Sequence, residues 1–415
     1  MAAQEQIDVT IVGAGIVGIC CALSLLEKGK TVRLVDKDAP GQGASCGNAG
    51  VVSPWSCIPQ SVPGLWKKIP GWLLDPEGPV AIRPGYLPKA LPWALRFLKS
   101  GRAKELPAIA RAMAELNRPN VDIYRRHLAG TGHEHLLRDS CYLHIYRDAS
   151  AADLQDLTWK LRAEHGAPLE LLNGDELREI EPCLSTDYKA AVLIKDQARA
   201  MAPGRIGTVL ADKARALGGV FVQAHVHELR PDEDGWSIMT NKSDFRSPQV
   251  VAAAGAWSMR LLAPLGVRVP LEAERGYHVL FRNPGVSLNN SIMEVDAKFV
   301  SSSMEMGVRS AGTAEFAGLD APPNYRRARM LVRQTKRMLP DLNTENIEEW
   351  MGARPSLPDS LPCIDEVPGQ AGLFTAFGHG HYGLGMAPMT GRIIADLVTQ
   401  TVPNIDLAPY SSARF

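Results

Sequence analysis

Three glycines, Gly13, Gly15 and Gly18, stand directly after an apolar run from Asp8 to Val12 and open an alanine- and leucine-rich stretch over about Ile16 to Lys28. A second apolar run, TVRLVD, ends at Asp36. This order predicts strand, glycine turn, helix, strand: a β-α-β unit that crosses over right-handed inside a larger doubly wound sheet. The glycines have separate steric duties. Gly13 permits the tight turn, Gly15 lets the backbone approach a pyrophosphate, and Gly18 allows close packing of helix on strand. Asp36 can accept from ribose hydroxyls while the helix N-terminus attracts phosphate. The spacing points to a dinucleotide and, taken alone, leaves FAD and NAD both open.

A chain of 415 residues is long enough for about two domains. Its 45 basic side chains are balanced by 45 acidic ones, so no overall field favours nucleic acid. Seven cysteines, an odd number with no C-x-x-C pair, argue against a disulfide framework and against zinc, and no metal is expected. The opening residues lack the basic start of a secretory signal, and no apolar run is long enough to span a bilayer. A cytoplasmic protein is expected, with peripheral attachment to the inner face of a membrane left open.

From Ser53 to Pro92 prolines recur every few residues among Trp55, Trp66 and Trp72, so no long uninterrupted helix is expected there. Within it, Gly64 to Leu74 sets tryptophans and leucines beside Lys67 and Lys68, a mix suited to a bilayer interface and equally to a core or a partner subunit. Helical period returns over about Gly101 to Arg126, strand alternation over Cys141 to Tyr146, a helix over about Pro203 to Leu217 and a strand over Val220 to Val226. Near the end, a strand, a glycine-rich turn and a helix from about Met386 to Val398 follow one another. The pattern predicts an α/β protein in which a Rossmann-like domain is assembled from residues 1–85, 195–265 and 345–415. An α+β domain with a mixed or antiparallel sheet, residues 86–194 and 266–344, is inserted between them.

Four further motifs identify the chain by likeness: Gly41-Gln42-Gly43-Ala44-Ser45-Cys46-Gly47-Asn48-Ala49-Gly50, Ala254-Gly255-Ala256-Trp257, Gly352-Ala353-Arg354-Pro355, and the turn from Gly378 to Gly385. With the amino-terminal fingerprint they resemble the FAD-dependent D-amino-acid oxidase superfamily, and most of all its bacterial D-amino-acid dehydrogenase branch. The likeness runs from residue 8 to about 400 and is weak between about 100 and 190.

The resemblance implies FAD held by Gly13, Ala14, Gly15, Ile16, Gly18, Asp36 and Lys37, by Ala44, Ser45, Asn48, Ala49 and Gly50, and by Val226, Gly255 and Trp257. It also places His379, Gly380, His381, Tyr382, Gly383, Leu384 and Gly385 along the isoalloxazine ring, where the N-terminus of the following helix would stabilise charge arriving on the flavin. Arg354 is implied as the anchor of an amino-acid carboxylate, a task suited to its planar fork of N–H donors. In the related sarcosine oxidase group a flavin-linking cysteine stands at that position, so an arginine implies non-covalent FAD, with Cys363 a lesser candidate for a covalent link. Tyr277 is implied to donate its hydroxyl to the carboxylate beside Arg354, and His381 to contact substrate.

The expected reaction is oxidation of a D-amino acid at its α-carbon, with a cyclic one such as D-proline or hydroxy-D-proline among the candidates. Electrons would pass to a quinone or another acceptor. Open alternatives are an oxygen-using oxidase of the glycine or sarcosine type, a nicotinamide dehydrogenase, and a flavin subunit of a homo- or hetero-oligomeric complex.

Overall fold

The computed structural model describes residues 7–415. The reading of the chain's first residues as lacking a basic start falls on residues 1–6 and lies outside those described.

The first sheet has six strands in the order Cys363–Glu366, Leu373–Phe377, Gln249–Ala252, Val9–Val12, Val32–Asp36 and Val220–Gln223. Every pair is parallel except the first. Val9–Val12 lies between two parallel neighbours and is buried along its whole length, which is why it reads as a continuous apolar run. The helix Ile16–Glu27 follows it and packs on the carboxy-terminal helix Gly383–Val398. The helices approach so closely that a side chain at Gly391 would meet the Cys20 carbonyl oxygen at 2.4 Å.

The second sheet is mixed. Its main path runs Ile347–Ser356, Glu272–Phe281, Gly307–Phe316, Phe299–Met304, Ser291–Glu294, Leu137–Tyr146, Ala190–Ala200 and Val51–Val52. A third, antiparallel sheet of Val226–Asp232, Gly235–Thr240 and Phe245–Ser247 leans on the first. The mixed sheet corrects the expected domain boundaries in two respects. Val51–Val52, Val80–Ile82 and Ile347–Ser356 hydrogen-bond into it, although their positions in the chain suggested the dinucleotide domain. Conversely, the helices Leu106–Asn117 and Asn120–Leu128 bury Leu106, Met113, Tyr124 and Leu128 in the core beneath the first sheet, not beneath the second. The break between these helices falls at Pro119, which replaces the single helical stretch read from periodicity.

The proline-rich segment departs from expectation too. Leu87–Ser100 is a helix of 14 residues with Pro88 in its first turn and Pro92 inside it. Pro92 lacks the N–H that would close on the carbonyl four residues earlier, and the helix tolerates this on the surface, where water can serve that carbonyl.

Candidate active site

A cavity of about 1340 Å³ opens at the carboxyl ends of Val9–Val12 and Val32–Asp36 and extends beneath the mixed sheet. That is where an open parallel sheet binds its ligands. The turn after Val9–Val12 is shaped for close approach. Gly13 has φ of 114°, and a side chain there would lie 2.3 Å from the Ala253 carbonyl oxygen. A side chain at Gly15 would meet nothing within 4 Å, because that position faces the cavity. Gly15 is the cradle that a pyrophosphate requires and a Cβ would fill. Asp36 also lines the wall. Its Oδ2 already accepts from the Ala14 N–H at 2.7 Å and its Oδ1 from the Asp38 N–H at 3.0 Å, so the carboxylate fixes the glycine turn as well as facing the ligand.

Gly13, Gly15, Ile16, Asp36, Lys37, Ala44, Ser45, Asn48, Ala49, Val226, Gly255 and Trp257 all line this one cavity, as do His379 to Gly385. Three expected contacts stand behind the wall instead. Ala14 is buried and reaches the site only through Asp36. Gly18 packs against the Gly13 carbonyl, and the Gly50 carbonyl accepts from Ala200 N–H at 2.7 Å. At the rim the Lys37 ammonium lies over the Trp257 ring, 5.4 Å from its centre.

The loop from Gly41 to Gly50 is held from the other sheet. Arg309 Nη1 donates to the Cys46 and Asn48 carbonyls at 2.9 Å each, and His278 Nδ1 lies 3.0 Å from the Gly47 carbonyl. Trp350 stacks on His278 and rests directly on Gly47, which has no side chain to obstruct it.

On the far side, the helix Gly383–Val398 begins without a capping side chain, so its first N–H groups are free to face the cavity. The turn before it is fixed on each flank. Tyr382 donates its hydroxyl to the Ile58 carbonyl at 2.7 Å and accepts from Gln60 Nε2 at 2.8 Å, while Tyr124 donates to the Leu384 carbonyl at 2.7 Å. His379 pairs with Thr390 Oγ1 at 2.9 Å, and burial pushes its pKa down to about 3, so it is neutral.

Arg354 and Glu274 are cross-strand partners on the paired strands Ile347–Ser356 and Glu272–Phe281. Arg354 Nη1 donates to Glu274 Oε1 at 3.0 Å and to the Thr313 carbonyl at 2.9 Å. The guanidinium lies on Gly276, where a Cβ would come within 2.2 Å of its central carbon. Thr313, a β-branched residue at φ 61°, sits where the neighbouring pairing slips register, and this strained backbone directs its carbonyl to Arg354. Nε and Nη2 of Arg354 have no protein partner among the described residues, and the residue lines the cavity.

Glu274 is buried and was not among the residues singled out from sequence. His381 Nε2 lies 3.0 Å from its Oε1, and Ser356 Oγ donates to its Oε2 at 2.9 Å. Burial, the largest single influence, pushes this carboxyl up; the His381 imidazole, the Arg354 guanidinium and the Ser356 hydroxyl outweigh it, and the pKa is held down to about 2. The signal that could have found it is a glutamate inside a wholly buried strand, two residues before a glycine and so on the same face.

Two expectations are corrected. Tyr277 touches the cavity wall, but its hydroxyl donates to Glu315 Oε2 at 2.5 Å and accepts from the Asn324 N–H at 2.9 Å. Strand alternation puts Tyr277 on the face opposite Glu274, so its hydroxyl does not stand beside Arg354. Cys363 is wholly buried within the edge strand of the first sheet, accepts from Arg414 Nη1 at 3.4 Å and does not line the cavity. Burial pushes its thiol up to about 12, which removes it as a flavin-linking nucleophile.

A dinucleotide cradle joined to a cavity roofed by a mixed sheet defines a flavin-dependent oxidoreductase. The chain belongs to the family described as FAD dependent oxidoreductase, whose model matches residues 8–397. It is 40% identical to a D-amino-acid oxidase of Bradyrhizobium diazoefficiens over 99% of each chain. It is 31% identical to a D-amino acid dehydrogenase of Paramagnetospirillum magneticum over 98% of each. Among solved structures, glycine oxidase from Geobacillus kaustophilus shares the fold with a TM-score of 0.77 at 24% identity, covering 99% of both chains. L-proline dehydrogenase from P. horikoshii does so with a TM-score of 0.75 at 18% identity, covering 100% of this chain and 98% of its own.

Proposed function

We propose that this enzyme oxidises a D-amino acid at its α-carbon to the imine, which water converts to the keto acid. The observation that carries the reading is Arg354, fixed through Nη1 by Glu274 and Thr313 while Nε and Nη2 remain for a substrate carboxylate. The D-handedness rests on the names of the relatives. Gly15 and the following helix N-terminus would hold the pyrophosphate of FAD. Asp36, Lys37, Val226 and Trp257 would line its adenosine, and Ala44, Ser45, Asn48, Ala49, Gly255 and the His379 to Gly385 turn its remainder. When bound, FAD supplies a two-electron acceptor toward which the α-hydrogen leaves as hydride.

The chain's own residues do the positioning. Glu274 stays ionised, neutralises Arg354 until substrate arrives, and fixes the His381 ring by accepting from Nε2–H. His381, held by that bond at the cavity wall, is placed to hydrogen-bond the substrate nitrogen, whose extra proton must be lost before hydride can depart. Anaerobic mixing with D-alanine, D-proline and hydroxy-D-proline, each beside its L-enantiomer, tests the reading. The D-forms should discharge the yellow colour; bleaching by the L-forms alone, or by none, overturns it.

The acceptor we propose is a membrane quinone, reached from an anionic bilayer surface. Leu87, Leu91 and Leu95 share one face of their helix and are 49%, 51% and 61% exposed, beside Trp66 at 61% and Leu74 at 84%. From Ser61 to Arg102 seven lysines and arginines stand against Asp75 and Glu77 alone, in a chain of formal net charge +0. Glu77 is itself paired with Arg333. Exposed apolar side chains in a segment rich in cations suit anionic lipid. The wild type should sediment with anionic vesicles and a Leu87→Ser, Leu91→Ser, Leu95→Ser variant should not; failure of the wild type to bind removes the bilayer from the proposal. A second reading, oxygen as acceptor, is favoured by the oxidase name of the relative at 40% identity. Faster turnover with oxygen than with a soluble quinone would establish it.

A further inference from the structure

The cavity continues past Tyr382 into a pocket that the α-carbon chemistry does not use. Its wall is one face of the strand Leu137–Tyr146, where Tyr142 and His144 alternate inward, with Trp159 and Arg162 from the helix Leu157–Glu164 and Lys298 from the neighbouring turn. The rings interlock: His144 meets Tyr142 edge-on at 4.8 Å and Trp159 at 5.0 Å, and the Arg162 guanidinium lies 4.7 Å over Trp159.

The polar groups here have no protein partners. Among the described residues neither Arg162 nor Lys298 pairs with a carboxylate or carbonyl, and Arg162 Nε and His144 Nε2 are buried without a hydrogen bond. His144 is only 9% exposed. Lys298 is held at φ 58°, a backbone conformation unusual for lysine. Of the nearby acids, Asp153 accepts from the Gln155 N–H and Asp156 caps the helix through the Thr158 N–H, while Asp296, 4.0 Å from Arg147, and Glu294 lie near enough to act on the Lys298 charge. Burial together with the Arg162 and Lys298 charges drives the His144 pKa well down, so its imidazole is neutral. A half-buried Arg162 whose buried Nε has no acceptor, an unsatisfied His144 nitrogen and the exposed Lys298 on the same aromatic wall make a place that suits an anionic group.

We propose that Arg162 and Lys298 form a distal anion subsite of the catalytic cavity, so that the enzyme selects D-amino acids whose side chain ends in a carboxylate. This deepens the D-amino-acid reading and rests on it: the α-carboxylate takes Arg354 and the side-chain carboxylate takes Arg162. Arg162, Tyr382, His381 and Arg354 all line this one cavity.

The test titrates the holoenzyme by calorimetry with glutarate and butyrate, a dicarboxylate and a monocarboxylate that cannot be oxidised. Glutarate should bind the wild type about tenfold or more tightly, the worth of one charge-assisted pair. Arg162→Gln, and independently Lys298→Met, should erase that advantage and leave butyrate affinity unchanged. In turnover, kcat/KM for D-glutamate should exceed that for D-glutamine in the wild type, and Arg162→Gln should reverse the order, with a smaller change for D-alanine than for D-glutamate. Equal binding of the two acids by the wild type, or equal loss of both in the variants, overturns the subsite. If no D-amino acid reduces the flavin, the oxidation reading falls, and the glutarate comparison still decides the subsite.

Discussion

Replacing Arg354 by alanine is expected to lower kcat/KM for a D-amino acid by roughly thirty-fold to several thousand-fold, the equivalent of about 2 to 5 kcal/mol for a buried charge pair that loses one member. Flavin content should not change, because the fingerprint and the Gly383–Val398 N-terminus lie on other elements. Arg354→Lys should recover only part of the loss. A lysine ammonium can reach either Glu274 or substrate, and it cannot hold Glu274 and Thr313 on one nitrogen while offering two parallel donors on the others. Steady-state kinetics with flavin quantified per chain is the measurement. Wild-type efficiency in the alanine variant would remove Arg354 from the site.

The second large effect concerns Glu274. Glu274→Gln keeps the volume but takes the counter-ion from Arg354, whose guanidinium is partly buried at the cavity wall, a change expected to cost about 1 to 3 kcal/mol. Its pH dependence is specific. A carboxyl held at about 2 against the usual 4.5 contributes about 3 kcal/mol of folding free energy at neutral pH. Because the folded pKa is the lower one, that contribution is complete above about pH 4.5 and is lost as pH falls toward about 2. Urea unfolding at several pH values should show the gap between wild type and variant shrinking through this window. A gap that stays constant from about pH 6 to about pH 3 would place the stabilisation elsewhere.

How far the sequence spoke depended on how local each constraint is. Gly13, Gly15 and Gly18 answer to a single turn, and the structure realises that turn with the left-handed Gly13 and the open Gly15. Arg354 was reachable through its motif, but its partner was not. Glu274 meets it only because residues 80 positions apart are paired across two strands, a register no local pattern states. Tyr277 failed for a related reason: a neighbourhood in sequence fixes the strand, and one position decides the face. The swapped domain segments repeat the lesson, since Val51–Val52 and Ile347–Ser356 belong to whichever sheet offers their hydrogen bonds. Leu87–Ser100 was obscured by prolines, of which Pro88 falls in the first turn where no intrahelical N–H is needed and Pro92 is carried inside the helix at a cost.

The sheets are stitched together by backbone. Val51–Val52 carries the chain from the glycine loop straight into the mixed sheet, Arg309 clamps that loop from behind, and Ser356 bridges to His379 at the other end. Links of this kind oppose a swing of one sheet away from the other. Ile69, Trp72, Trp93 and Phe97 of the outer layer from Trp66 to Leu98 line the cavity, so that layer is where substrate entry and product release are expected to be gated. Stiffening it, for instance by a crosslink between neighbouring surface positions, would slow turnover while leaving the chemistry of the central cavity untouched.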